Sequence, residues 1–251
     1  MTGSTGPVRS GIGGAFSALG FLTVLPVPEA LAARGRGVAT VFFPWIGALL
    51  GVSAAGVVRL PGDAYLGAVL ALSLLFLATG GLHWDGWADV ADAAVPPGLA
   101  PERRVAILGD PRVGAHATVA VGLLLLLAVW GLARAPLWGI VIGSALGRWV
   151  MVGTLRWAPS LRNEGAGAGM RGDARPLLAG VGVLALVTAA TALGGGGRLV
   201  LAVSCGLGVA ALGTTVLVRR LGGLNGDGHG AVGLLTEITT WAASAQLAPV
   251  A

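Results

Sequence analysis

Charge is what this 251-residue sequence has least of: Asp, Glu, Lys and Arg together make up 11% of it. A water-soluble domain carries about a quarter. So small a share cannot cover a globule of this size. Hydrophobic residues instead make up 55%, and the mean hydropathy is +0.84. The chain therefore reads as polytopic and membrane-embedded, which excludes a soluble domain, a disordered chain and a coiled coil. Lysine is absent, and all 16 basic residues are Arg, dispersed between apolar runs. The net charge of +5 then points to membrane topology rather than to a nucleic-acid partner. One Cys, Cys205, sits in an apolar run, so disulfide scaffolds and thiolate metal sites are excluded too. The missing Lys beside abundant Ala, Gly, Val and Arg suggests a GC-rich bacterial genome.

Apolar length is what the sequence does have. Crossing about 30 Å of hydrocarbon takes about 20 apolar residues at about 1.5 Å each. Seven stretches meet or approach that length: 38–58, 64–82, 113–133, 135–147, 177–197, 199–218 and 231–251. The fourth reaches it only by continuing past Arg148. An eighth run, 10–28, is interrupted by Pro26 and Pro28, and it spans, re-enters or lies in the interface. Arg9 before it and Ala30-Leu31-Ala32 after it also mimic a secretory leader. The expected fold is an all-α polytopic membrane protein with about seven transmembrane helices plus this N-terminal helix, forming a single integral membrane domain.

The connections alternate in length. Short turns carry Arg59, Arg134 and Arg198, whereas the long connections 29–37, 83–112, 148–175 and 219–230 carry twelve Arg. The positive-inside rule places the long ones in the cytoplasm of a bacterial plasma membrane. Nine of the eleven acidic residues fall there as well; Asp63 and Glu237 are the exceptions. Topology needs Arg but has no use for so many carboxylates, so the polar chemistry is expected on the cytoplasmic face, in 83–112, 148–175 and 219–230.

The densest acidic segment runs from Gly80 to Asp92, with Asp85, Asp89 and Asp92 spaced by four and three residues. On a helix they fall within roughly 40° to 60° of one another. Three like charges there repel unless a cation offsets them, and carboxylate oxygens suit Mg²⁺. The plainer alternative is a solvated helix start, where acids suit the dipole. His83 is either interfacial or a site residue. Asp110 is a further ligand or general base, and Arg112 either anchors the next helix or binds phosphate. Around Arg162, the Gly-rich stretch with Gly165 and Gly167 offers backbone amides to phosphate oxygens. Arg148 either snorkels or pairs with phosphate. Asn225 and Asp227 sit in a Gly-rich turn, and Glu237 lies inside the last apolar run, where an ionisable group is a functional candidate by default.

At these residues the chain resembles the cobalamin synthase (adenosylcobinamide-GDP ribazoletransferase) family, over nearly its whole length. The resemblance rests on Phe21–Pro28, Phe42-Phe43-Pro44-Trp45-Ile46-Gly47, Thr79–Gly86 with Ala88-Asp89 and Asp92, Asp110–Gly114, Arg162 with Gly165 and Gly167, and Gly222-Gly223 with Gly226-Asp227, Gly230-Ala231 and Glu237. Ala93, Asn225 and Leu234 depart from the family pattern. The resemblance implies attack by an alcohol of α-ribazole, or of its 5′-phosphate, on adenosylcobinamide-GDP, with GMP leaving. It implies Mg²⁺ held by Asp85, Asp89 and Asp92, and a general base in Asp110 or Asp227. His83, Arg112, Arg148, Arg162, Gly165, Gly167, Asn225 and Glu237 would bind substrate. The protein would act as a homo-oligomer or with other enzymes of the same biosynthesis. The rival reading is a transporter or cation-coupled channel built on Glu237 and the Asp85/Asp89/Asp92 face.

Overall fold

The computed structural model describes residues 7–161, 170–171 and 173–248, and every named element among them is helical. After α1 (Pro7–Leu22) come one turn, α2 (Glu29–Ala32), and a 3₁₀ turn, Ala33–Val38. α3 (Ala39–Val58), α4 (Ala64–Thr79) and α5 (Leu82–Ala94) follow, then the short α6 (Pro101–Ile107). The remaining helices are α7 (Ala115–Arg134), α8 (Leu137–Trp157), α9 (Pro176–Ala190), α10 (Gly196–Leu221) and α11 (Gly226–Gln246).

Five of these segments are long and apolar enough to cross a membrane, and a sixth is obtained if α4 and α5 count as one broken span. The expected spans at 38–58, 113–133, 177–197 and 199–218 therefore stand as helices. Two expectations need correction, and one condition is met. The stretch 64–82 is not a full span: Gly80 and Gly81 take φ of 62° and 71°, a left-handed pair that ends α4 and turns α5 away by 91°. The run 135–147 does continue past Arg148, because α8 ends only at Trp157. The last helix begins at Gly226, not 231, and it is a largely buried element rather than a lipid-facing span. The apolar part of α1, Gly11–Leu22, is too short to cross.

Antiparallel succession gathers the long connections at one end of the bundle. There Thr40 Oγ1 donates to Asp173 O at 3.2 Å, and Leu161 N donates to Leu224 O at 3.0 Å. At the other end Arg59 Nη2 donates to Ala135 O at 3.1 Å, tying two short turns together.

α11 is rich in Gly and Thr, and it lies against α8, α5, α7 and α10. Lipid offers no hydrophobic drive for helix pairing, so small residues that let backbones approach carry the packing. Gly139, Gly143 and Gly147 form such a row on α8. A Cβ on Gly147 would stand 2.6 Å from Gly233 O. The indole N–H of Trp241 closes the same seam by donating to Ile140 O at 3.0 Å.

Gly147→Ala forces a methyl onto a backbone oxygen, and it should lower stability by about 1–3 kcal/mol. Gly208→Ala on α10, where nothing lies within 4 Å, should be neutral or slightly stabilising. Thermal unfolding in detergent separates the two.

Candidate active site

α5 carries the acids. Its 13 residues extend only about 20 Å at about 1.5 Å each, and it runs nearly perpendicular to α4, so it is the arm at the bundle's end and not a spanning segment. Its buried face is His83, Trp84, Gly86, Val90, Ala91, Ala93 and Ala94. The opposite face bears Asp85, which is exposed, and Asp89 and Asp92, which are half-buried. The helical spacing of the three acids is therefore as expected.

Their surroundings differ. Asp92 Oδ2 accepts from Gly114 N at 2.6 Å, and its Oδ1 accepts from Ala117 N at 2.9 Å. Both oxygens thus satisfy the free amides at the start of α7, where a negative charge also suits the helix dipole. Asp89 stays on the open face. Partial burial, and then the charges of Asp85, Asp227 and Asp92, push its carboxyl up from 3.8 to about 6.

Asp227 comes from the first turn of α11. Asn225 caps that helix by accepting from Gly228 N at 3.0 Å, and its Nδ2 donates to Asp227 Oδ2 at 2.7 Å. α5 and α11 touch here: a Cβ on Gly86 would lie 2.8 Å from Asp227 O, and one on Gly230 3.2 Å from the His83 ring. This glycine-lined contact brings Asp227 toward Asp85 and Asp89, although 142 residues separate it from Asp85. Nearby, His229 Nδ1 lies 3.0 Å from Thr154 Oγ1.

Asp110 is elsewhere. It accepts from Arg112 Nε at 2.8 Å and from Nη2 at 2.6 Å. The Arg112 side chain, aided by its backbone N–H, holds the Asp110 carboxyl down to about 2. The charges that act on it are cationic, Arg112 and Arg103, so Asp110 lies outside the acid cluster. Arg112 is exposed and already paired with this carboxylate.

Arg148 and Glu237 are not in a connection. They lie inside α8 and α11, 3% and 2% exposed, and they pair with each other. His83 is buried beside them. None of the three is open to a substrate phosphate. Glu237, on which the transport reading leaned, already has its cation. Arg162, Gly165 and Gly167 lie outside the described residues.

Sequence reasoning missed Arg104. It is 4% exposed and donates to Ala93 O at 2.7 Å, Ala94 O at 3.0 Å, Pro96 O at 2.7 Å and Leu99 O at 3.1 Å. It therefore gathers the carbonyls at the C-terminal end of α5, where a cation belongs. Nothing in its sequence neighbourhood distinguishes it from Arg103.

No three His, Cys, Asp or Glu side chains among the described residues are already arranged around a metal position. Mg²⁺ does not require that. It keeps several waters and is commonly bound by one or two carboxylates together with substrate phosphates. Asp85 and Asp89, with Asp227 across from them, fit that description; Asp92 is the acid least free to join.

Fold and site together define a multi-pass helical membrane protein that concentrates carboxylates at one end of its bundle. The chain belongs to the cobalamin-5-phosphate synthase family, an enzyme family of transferases, whose sequence profile matches residues 14–245. It is 32% identical over 249 residues to the adenosylcobinamide-GDP ribazoletransferase of Chlorobium phaeobacteroides (strain BS1), covering 94% of this chain and 98% of that protein. It is 36% identical over 230 residues to the protein of that name from Pseudomonas entomophila (strain L48), covering 88% and 93%. No solved structure matches it.

Two outcomes are expected of the acids. Asp92→Ala should lower stability by about 1–2 kcal/mol through the lost cap on α7, with Asp92→Asn in between; thermal unfolding without metal measures both. Asp89 has a raised folded-state pKa, so its contribution is fully present below 3.8 and is lost as pH rises through about 6. The metal-free protein should therefore unfold at higher temperature as pH falls from 6 toward 4, and Asp89→Asn should flatten that rise.

Proposed function

We propose that the protein transfers the phospho-cobinamide group of adenosylcobinamide-GDP to an alcohol of α-ribazole or of its 5′-phosphate, with Mg²⁺ as cofactor. The observation that supports this best is the meeting of Asp85, Asp89 and Asp227 at the α5–α11 contact, in a chain whose relatives bear the ribazoletransferase name. The acceptor alcohol forms a new O–P bond to the phosphorus next to the cobinamide. The anhydride bond beyond that phosphorus breaks, and GMP leaves with the electron pair.

Such a reaction depends mainly on charge neutralisation and alignment. Asp85 and Asp89 would hold Mg²⁺, which supplies positive charge to the diphosphate oxygens when bound. Asp227 suits the proton-accepting role better than Asp110. Its charge acts on Asp89 within the acid cluster, whereas Asp110 lies outside that cluster and is held ionised by Arg112. The Asn225 amide, donating to Asp227 Oδ2 at 2.7 Å, fixes the orientation of that carboxylate. Arg112 would reach a phosphate by exchanging Asp110 for it, and Arg162 with Gly165 and Gly167 remain candidates for the GMP side. The Arg-rich end would face the cytoplasm, where both nucleotide-bearing substrates are found.

The test is GMP release by protein in liposomes supplied with adenosylcobinamide-GDP and α-ribazole, with and without Mg²⁺. Mg²⁺-dependent GMP and cobalamin formation is expected. Asp85→Asn and Asp89→Asn should each lower turnover by about 100-fold or more, and Asp110→Asn by less than about tenfold. Full activity in both α5 variants would remove the metal role from this face.

A further inference from the structure

The most deeply buried charges lie outside the acid cluster. Arg148 of α8 and Glu237 of α11 hydrogen-bond through Nη1 and Oε2. A buried ion pair contributes little net stability, and apolar side chains of similar volume often serve as well or better. The reason for this pair has to come from what surrounds it.

Arg148 Nε, Glu237 Oε1 and His83 Nε2 are buried and have no hydrogen-bond partner among the described residues. All three residues line one small internal cavity of about 20 Å³. Thr79 and Trp84 line it as well, so it sits at the corner where α4 ends and α5 turns away. A space of this size holds one water and nothing larger. Such a water makes about three hydrogen bonds. The residues around this space supply one unpartnered donor, one unpartnered acceptor and a ring nitrogen able to act as either. A cation would be repelled by the guanidinium, and a phosphate would not fit.

His83 stands in the first turn of α5, two residues before Asp85, with its ring against Gly230 of α11. We infer that the Arg148–Glu237 pair is a positioning device: through one enclosed water it fixes the His83 ring, and His83 fixes the first turn of α5 and hence the carboxylates of Asp85 and Asp89. None of the three touches substrate. The charge pair gives the corner a single geometry where apolar contacts would permit several.

The test replaces the pair by neutral side chains of similar size, Arg148→Met with Glu237→Gln, and separately uses His83→Leu and the conservative His83→Gln. Hydrogen–deuterium exchange over residues 82–94 is measured in metal-free protein, alongside the Mg²⁺ concentration that gives half-maximal GMP release. The double variant and His83→Leu should exchange faster over 82–94 and need about tenfold more Mg²⁺, whereas His83→Gln stays within about threefold of wild type. Wild-type exchange and metal requirement in His83→Leu overturn the inference, whether or not the double variant folds. The kinetic arm rests on the transfer reaction proposed above, and the exchange arm does not. A wild-type protein that releases no GMP counts against that reaction alone, while faster exchange in the variants still supports the clamp.

Discussion

α11 is the element around which the rest is arranged, because it is too polar to face lipid. It carries Thr236, Glu237, Thr240 and Ser244, all buried, and each needs a partner away from hydrocarbon. The threonine and serine hydroxyls donate back to carbonyls of their own helix: Thr236 to Val232 O at 2.7 Å, Thr240 to Thr236 O at 2.8 Å and Ser244 to Trp241 O at 2.8 Å. Glu237 cannot be satisfied that way and takes Arg148. Surrounding such a helix requires neighbours that come close, and the glycine row of α8 permits it. Ser144 and Ala145, on another face of α8, lie against Gly47 of α3. α8 is thus enclosed on two sides, which accounts for a 21-residue helix with so little of its surface outside.

The position of the acids follows from the same contact. Because α5 lies across the start of α11 and not alongside α4, its outer face is the one that can carry carboxylates in water. The C-terminal end of α5 is then fixed twice. Arg104 collects the carbonyls at its C-terminus, and Asp92 bonds the amides that begin α7. These contacts allow Asp85 and Asp89 to stay close together despite their repulsion: the helix that bears them has few alternative placements. A charged group on a helix that is itself held in place relaxes less than one on a free loop.

Much of this was legible in the sequence. Apolar length gave the main spans, and the alternation of long Arg-bearing connections with short turns marked the end where the polar residues gather. The four-and-three spacing of Asp85, Asp89 and Asp92 correctly indicated one helix face. The apolar run ends close to Gly80-Gly81 in the sequence, but the 91° turn there was not legible, because only the backbone angles mark it. Arg148 and Glu237 were each visible as charges in apolar runs, but their pairing depends on the register between α8 and α11, which lie 89 residues apart at these positions. The role of Asp92 toward α7 was hidden for a related reason. Its partners are backbone amides, and a backbone amide has no residue signature.

The two kinds of carboxylate in this protein show how burial divides their work. Glu237 is enclosed by helices and meets its cation within the chain, so its charge is spent inside the bundle. Asp85 and Asp89 stand at the end of the bundle, and among the described residues no guanidinium forms an ion pair with either. Were Arg148 placed near Asp85 instead, the negative charge of the cluster would be neutralised within the chain. Keeping the arginine inside, one helix away from the acids, leaves the outer face anionic. That separation requires the tight α8–α11–α5 packing, and a glycine at each close approach is what makes the packing feasible.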